Sequence, residues 1–248
     1  MYTSVMPSYW SRLLDILAPG DWLYRDAHYL VAEMDIDPAK AKRWVPSPLR
    51  LARPATATLF TAWFPSTTFG SVYSEAGLFL DVTHHGRPAV FSPWMIVDDD
   101  VALITGRELL GYPKKLGEID FRMEGDTVSG VACRRGAELV RMKGTLREEI
   151  VAPPPVLARP HRNVRASMGL ALPKVIAFTP REEVISVRRV DLEVTVGGSE
   201  RDPLHELGFG AVRAARLHRV NLGSSLPPIP VAGVSPIWFL KQWLLRAQ

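Results

Sequence analysis

Thr105-Gly106-Arg107-Glu108-Leu109-Leu110-Gly111-Tyr112-Pro113-Lys114-Lys115-Leu116-Gly117 sets two adjacent lysines directly behind a Gly-Tyr-Pro corner. The apolar run before it, Val101-Ala102-Leu103-Ile104, reads as a buried strand. That placement is unusual for lysines: the pair reads either as an ordinary solvated turn or as amines put to use. An amine attacks a carbonyl only when neutral, and at an ordinary lysine pKa of about 10.4 only about one in a few thousand is neutral at pH 7. Two devices raise that fraction: removing water from the ammonium, and placing a second cation beside it. Leu109, Leu110, Tyr112 and Leu116 supply an apolar wall, and Lys115 and Arg107 are the candidate cations. Consecutive residues of an extended segment point to opposite sides, so a Lys115 that faces away leaves desolvation as the main cause.

Outward from this stretch the pattern is strand-rich. Ala89 to Val97 reads as a strand, Asp98-Asp99-Asp100 as a hairpin tip, and Val101 to Thr105 as the partner that delivers the lysines. Upstream, Trp22 to Met34, Ala55 to Phe64 and Ser71 to Val82 are extended, with Glu75 the acid embedded in the last. Asp37-Pro38 caps and opens a helix running to about Trp44, and Tyr9 to Leu17 is a short amphipathic helix. Downstream, Asp120 to Met123, Thr127 to Arg134 and Glu138 to Leu146 form a meander, followed by the proline-rich stretch Pro153 to Pro160. Val190 to Val196 and Ala211 to Leu222 alternate like half-buried strands, and Ser235-Pro236 opens a terminal helix to Leu245. The sum is an α+β fold dominated by an antiparallel sheet closing on itself, with a few peripheral helices.

The composition excludes several classes. With no linker or low-complexity run, the 248 residues read as one domain, and 47% hydrophobic with 23% charged residues argues against disorder. The net charge of +4 is spread over short arginine clusters, which gives no footprint for nucleic acid. Cys133 stands alone, so no intramolecular disulfide or cysteine metal cluster forms. No apolar run approaches the roughly 18 residues of a membrane span, and the expectation is a soluble cytoplasmic protein. His84-His85 has no third ligand at a recognisable spacing and reads as a turn, so no metal site is expected. Dinucleotide, NTPase and α/β-hydrolase loops are missing.

The string Gly106 to Gly117 resembles the lysine motif of the acetoacetate decarboxylase family. The likeness extends more weakly through Tyr29, Val45-Pro46-Ser47-Pro48-Leu49 and Tyr73-Ser74-Glu75, and mainly as strand pattern in the second half. It implies a cone-like β-barrel that assembles into homo-oligomers, with a small keto acid as substrate and no cofactor. By this resemblance Lys114 is the Schiff-base lysine, Lys115 its cationic neighbour, and Glu75 a proton-handling or orienting carboxylate. Acetoacetate decarboxylase is itself the standard example of a lysine activated by its surroundings. Two family positions differ. Ala27 stands where the family has an arginine for the substrate carboxylate, with Arg25 two residues away and expected on the same strand face; Phe60 stands where it has a second glutamate. Arg25, Arg107, Tyr112 and Phe60 are therefore the expected substrate-binding set. Decarboxylation of a β-keto acid, an aldol or dehydration reaction of a 2-oxo acid, and a non-catalytic binding role all stay open.

Overall fold

The central strands carry apolar residues on both faces, because the sheet is covered on both sides. A computed structural model describes residues 22–151, 153–166, 172–223 and 228–247; the helix expected over Tyr9 to Leu17 lies outside them. The first half holds β1 (Tyr24–Ile36), helix α1 (Pro38–Ala41), β2 (Arg50–Leu51), β3 (Thr56–Phe64), β4 (Ser66–Thr67), β5 (Tyr73–His84) and β6 (Arg87–Val97). Helix α2 (Asp100–Leu110) leads to β7 (Lys114–Leu116), and a meander follows: β8 (Glu118–Glu124), β9 (Thr127–Arg134) and β10 (Ala137–Glu149). Then come β11 (His161–Arg165), β12 (Lys174–Phe178), β13 (Arg181–Val196), β14 (Phe209–Gly223), β15 (Ile229–Gly233) and helix α3 (Pro236–Ala247).

The strands form one sheet in the order β15-β12-β11-β6-β5-β3-β1-β14-β13-β10-β9-β8, with β2 on β5, β4 on β1 and β7 on β6. Pairing is antiparallel except for β11 and β7, which both run parallel to β6. The expected mainly antiparallel α+β class is what the chain adopts. The expected closure is not: the ladder ends at β15 and β8, which do not pair. The sheet instead folds over itself and packs by side chains. Gly130 of β9 lies so close to Thr61 of β3 that a Cβ there would come 2.0 Å from the hydroxyl oxygen. One core, with Leu30, Leu59, Leu78 and Ile96, sits against Val140 and Met142 of the meander. The other, with Tyr29, Phe60, Phe79 and Met95, faces Ile176 and Phe178 of β12.

One element differs in kind. Val101 to Thr105 belongs to α2, not to a hairpin. Asp99 is the N-cap, its carboxylate accepting the Ala102 amide at 2.7 Å, a bond worth about 1 kcal/mol. Gly111, at φ 63°, closes the helix by donating to the Arg107 carbonyl at 3.2 Å. The apolar run is not buried as a block, since Val101 and Ile104 face solvent. Among the described residues no helix is long and apolar enough to cross a membrane.

Candidate active site

The pleat decides where each lysine points. On β5, β6 and β7 the residues Gly77, Met95 and Lys114 stand directly opposite one another, as do Glu75 and Val97. Met95 and Val97 belong to the second core, so Glu75 and Lys114 emerge on that face. There Lys114 Nζ donates to Glu75 Oε2 at 2.8 Å. Both residues are almost wholly covered, at 5% and 6% exposure. A buried charge tolerates such a place only when paired and hydrogen-bonded, and each residue supplies the other's partner.

The pair borders a cavity of about 100 Å³. Eight of its twenty lining residues are aromatic, and Tyr73 and Tyr112 have their ring centres 5.6 Å and 6.0 Å from Lys114 Nζ. Phe64 stacks on Tyr73 at 4.5 Å, and Tyr24 leans on Phe64 at 5.2 Å. Glu75 and Lys114 are the charged side chains of this lining. Burial and the nearby Glu75 carboxylate push the phenols of Tyr29 and Tyr112 well above their ordinary range, and burial does the same for Tyr24 and Tyr73. These hydroxyls therefore stay protonated and can donate. Tyr112 is held from behind, its hydroxyl 3.3 Å from His161 Nδ1, while His161 Nε2 lies 3.1 Å from the Leu157 carbonyl. Burial pushes the His161 imidazole down to about 3, so it is neutral, with Nε2–H donating to Leu157 and Nδ1 accepting from Tyr112.

Lys115 opens on the opposite face, beside Ile96 and the first core. It is ion-paired with Asp202 and donates to the Arg201 carbonyl at 3.1 Å. Asp202 also accepts from Trp94 Nε1 at 2.9 Å and pairs with Arg134 at 3.0 Å. Burial alone would raise the Asp202 carboxyl, but Lys115, Trp94 and Arg134 together hold it below its ordinary value. Lys115 thus sits in a separate charge cluster and is not the cation beside Lys114. Arg107 does not line the cavity either; its guanidinium reaches the Lys114 backbone carbonyl at 3.4 Å.

Arg25 is exposed and does not share the face of Ala27. Asp26 adopts φ 58° and breaks the register between Tyr24 and Ala27, so the alternation slips by one residue. Tyr24 enters the cavity in place of Arg25. Phe60 is fully buried behind the lining, stacked on Phe79 at 5.1 Å above Gly77. Tyr24, Tyr73, Gly106, His161 and Asp202 were not singled out by sequence. Tyr73 stands two residues before Glu75 on the same strand, and Gly106 is a glycine inside a helix, both readable signals. Nothing local marks His161 or Asp202, which arrive from distant segments.

Fold and site together define a β-rich protein with a buried amine–carboxylate pair on an aromatic cavity. A sequence model of the family described as acetoacetate decarboxylase (ADC) matches residues 5–224, and the chain belongs to that family. It is similar to acetoacetate decarboxylase 2 of Mesorhizobium japonicum, 37% identical over 111 residues, which is 45% of this chain and 42% of that protein. Acetoacetate decarboxylase of Ralstonia nicotianae is 33% identical over 112 residues, 45% of each chain. The match therefore spans less than half the length of these curated relatives. The crystal structure of acetoacetate decarboxylase from Legionella pneumophila superposes with a TM-score of 0.72 at 15% identity, covering 94% of this chain and 93% of that one. The enduracididine biosynthesis enzyme MppR, in complex with pyruvate, gives 0.66 at 20% identity, covering 84% and 88%. At these identities the structural likeness is one of fold.

Proposed function

We propose that the chain is a Schiff-base-forming lyase that acts on a small keto acid through an imine on Lys114, with decarboxylation of a β-keto acid as its leading reaction. The amine adds to the ketone and expels water, and the protonated imine becomes an electron sink. The bond to the carboxylate breaks, carbon dioxide leaves, and the electron pair enters the imine to give an enamine. Protonation of the enamine carbon and hydrolysis return the amine and the product ketone. The imine supplies the electron sink, so the reading calls for no cofactor. In this reading Glu75 takes and returns the protons. The observation that carries the proposal is the 2.8 Å contact between Lys114 Nζ and Glu75 Oε2 at the cavity wall.

A second reading, an aldol or dehydration reaction of a 2-oxo acid by the same imine, draws on one feature of the lining: among the described residues it has no arginine and no second lysine for a carboxylate. The resemblance also supports a homo-oligomer in the cytoplasm. Borohydride reduction in the presence of a panel of β-keto and 2-oxo acids, followed by peptide mapping, tests the proposal. The expected result is an adduct on Lys114. An adduct on Lys115 alone, or none with any acid, overturns it. Turnover separates an enzyme from a relative that only binds.

A further inference from the structure

Among the described residues, the cavity lining offers a substrate carboxylate no positive charge except the reacting amine, and Glu75 repels it. A row of rings leads away from that point: Tyr73 beside Lys114, then Phe64, then Tyr24. Tyr24 follows Trp22 and Leu23, and Leu23 lines the cavity together with Pro180, Leu222 and Gly223. At this end stands Arg181. Its guanidinium lies over the Trp22 ring, 4.7 Å from the centre. It also lies against Gly223, where a Cβ would come within 2.9 Å of Nε and 3.0 Å of Nη2. A side chain there would make the guanidinium shift.

The neighbouring acids are engaged elsewhere. Glu182 accepts the amides of Val156, Leu157 and Ala158 at 3.0, 2.7 and 2.9 Å, and Glu183 accepts from Asn221 at 2.7 Å. Among the described residues Arg181 has no carboxylate partner. Stacking orients the planar fork in advance, which suits it to a carboxylate. Resting on the reading of Lys114 as the imine-forming residue, we infer that Arg181 is a specificity residue at the cavity mouth. It takes the distal carboxylate of a keto diacid whose carbonyl reaches Lys114 and whose apolar chain lies along the Tyr73, Phe64 and Tyr24 rings.

The test is borohydride trapping at Lys114 with the linear 2-oxo diacids from 2-oxoglutarate to 2-oxosebacate, each against the 2-oxo acid of equal chain length that ends in methyl. The parent protein is expected to trap the best diacid at about tenfold lower concentration than its methyl-ended partner, the scale of one charge-assisted pair. Arg181→Gln raises the half-saturating concentration of that diacid to the value of its partner. Gly223→Ala, which displaces the guanidinium and keeps its charge, reduces the preference at least threefold. A parent without preference, or an Arg181→Gln protein that keeps it, overturns the role of Arg181 while adduct formation upholds the lysine reading. No adduct from any acid overturns both.

Discussion

Gly106 of α2 is the slot into which Lys114 fits: a Cβ on Gly106 would lie 2.6 Å from Lys114 Cε, 2.7 Å from Cδ and 3.1 Å from Nζ. The same amine donates to Glu75 Oε2 at 2.8 Å, so a shift of the side chain away from Gly106 also alters that bond. Gly106→Ala gains up to about 1 kcal/mol of intrinsic helix propensity, yet it pushes the amine off its place. The expected outcome is an unfolding midpoint within a few degrees of the parent, together with a loss of at least tenfold in the rate of borohydride-trapped adduct. Trapping at the parent rate would show that the slot does not hold the amine.

How far the sequence carried can be read from five places. Thr127 to Arg134 was legible to the residue because its alternation and flanking turns are local signals, and Asp37-Pro38 announced α1 in the same way. Val101 to Ile104 misled because four apolar residues fit either period. The deciding signals were the Asp99 cap and the Gly111 stop, a helix's length apart. Lys114 and Glu75 were each conspicuous alone, but their contact depends on the parallel register of β7 on β6, which no local pattern encodes. Arg25 failed for a sharper reason. Strand parity was sound from Ala27 onward, and one bulge at Asp26 reversed it. That bulge is held by Asn221 and Arg219, nearly two hundred residues downstream.

Asp202 balances two cations in a place only 1% exposed. Replacing it by Asn removes the carboxylate that Lys115 and Arg134 share, and breaking a buried pair in this way costs about 3–5 kcal/mol. Urea unfolding of Asp202→Asn checks this. The carboxyl titrates below its ordinary value when folded, so its stabilisation is complete above about pH 4 and is lost as pH falls through the folded value. The variant is therefore expected to be less stable than the parent at pH 7, with the gap narrowing below pH 4. A constant gap would mean that packing, not charge, is what Asp202 supplies.

His161 and His218 impose the acid limit of the fold. Burial lowers them to about 3 and about 4, whereas an unfolded histidine titrates near 6.5. The unfolded chain therefore binds more protons below about pH 6.5, and stability falls as pH drops from there towards 4. Each histidine contributes a slope of about 1.4 kcal/mol per pH unit. Chemical unfolding measured at intervals between pH 7 and 4.5 is expected to show this decline, and His161→Gln to remove about one proton from it. An identical slope in parent and variant would mean that His161 is already protonated in the folded protein.

Glu75 is the last test, because it separates forming the imine from using it. The carboxylate accepts from Lys114 Nζ at 2.8 Å, and among the described residues no other acid lines the cavity. Glu75→Gln keeps the shape and one hydrogen bond at that point but removes the proton acceptor. Trapping at Lys114 should survive, since the amine keeps its slot against Gly106 and its aromatic wall. Turnover of the keto acid that the panel identifies should fall by roughly 10²-fold or more, the usual loss when a general base is removed. Measured together, single-turnover trapping and steady-state release of product divide the two steps. If turnover stays within a few-fold of the parent, Glu75 serves only to satisfy the buried ammonium, and the proton must travel by one of the tyrosine hydroxyls or by water.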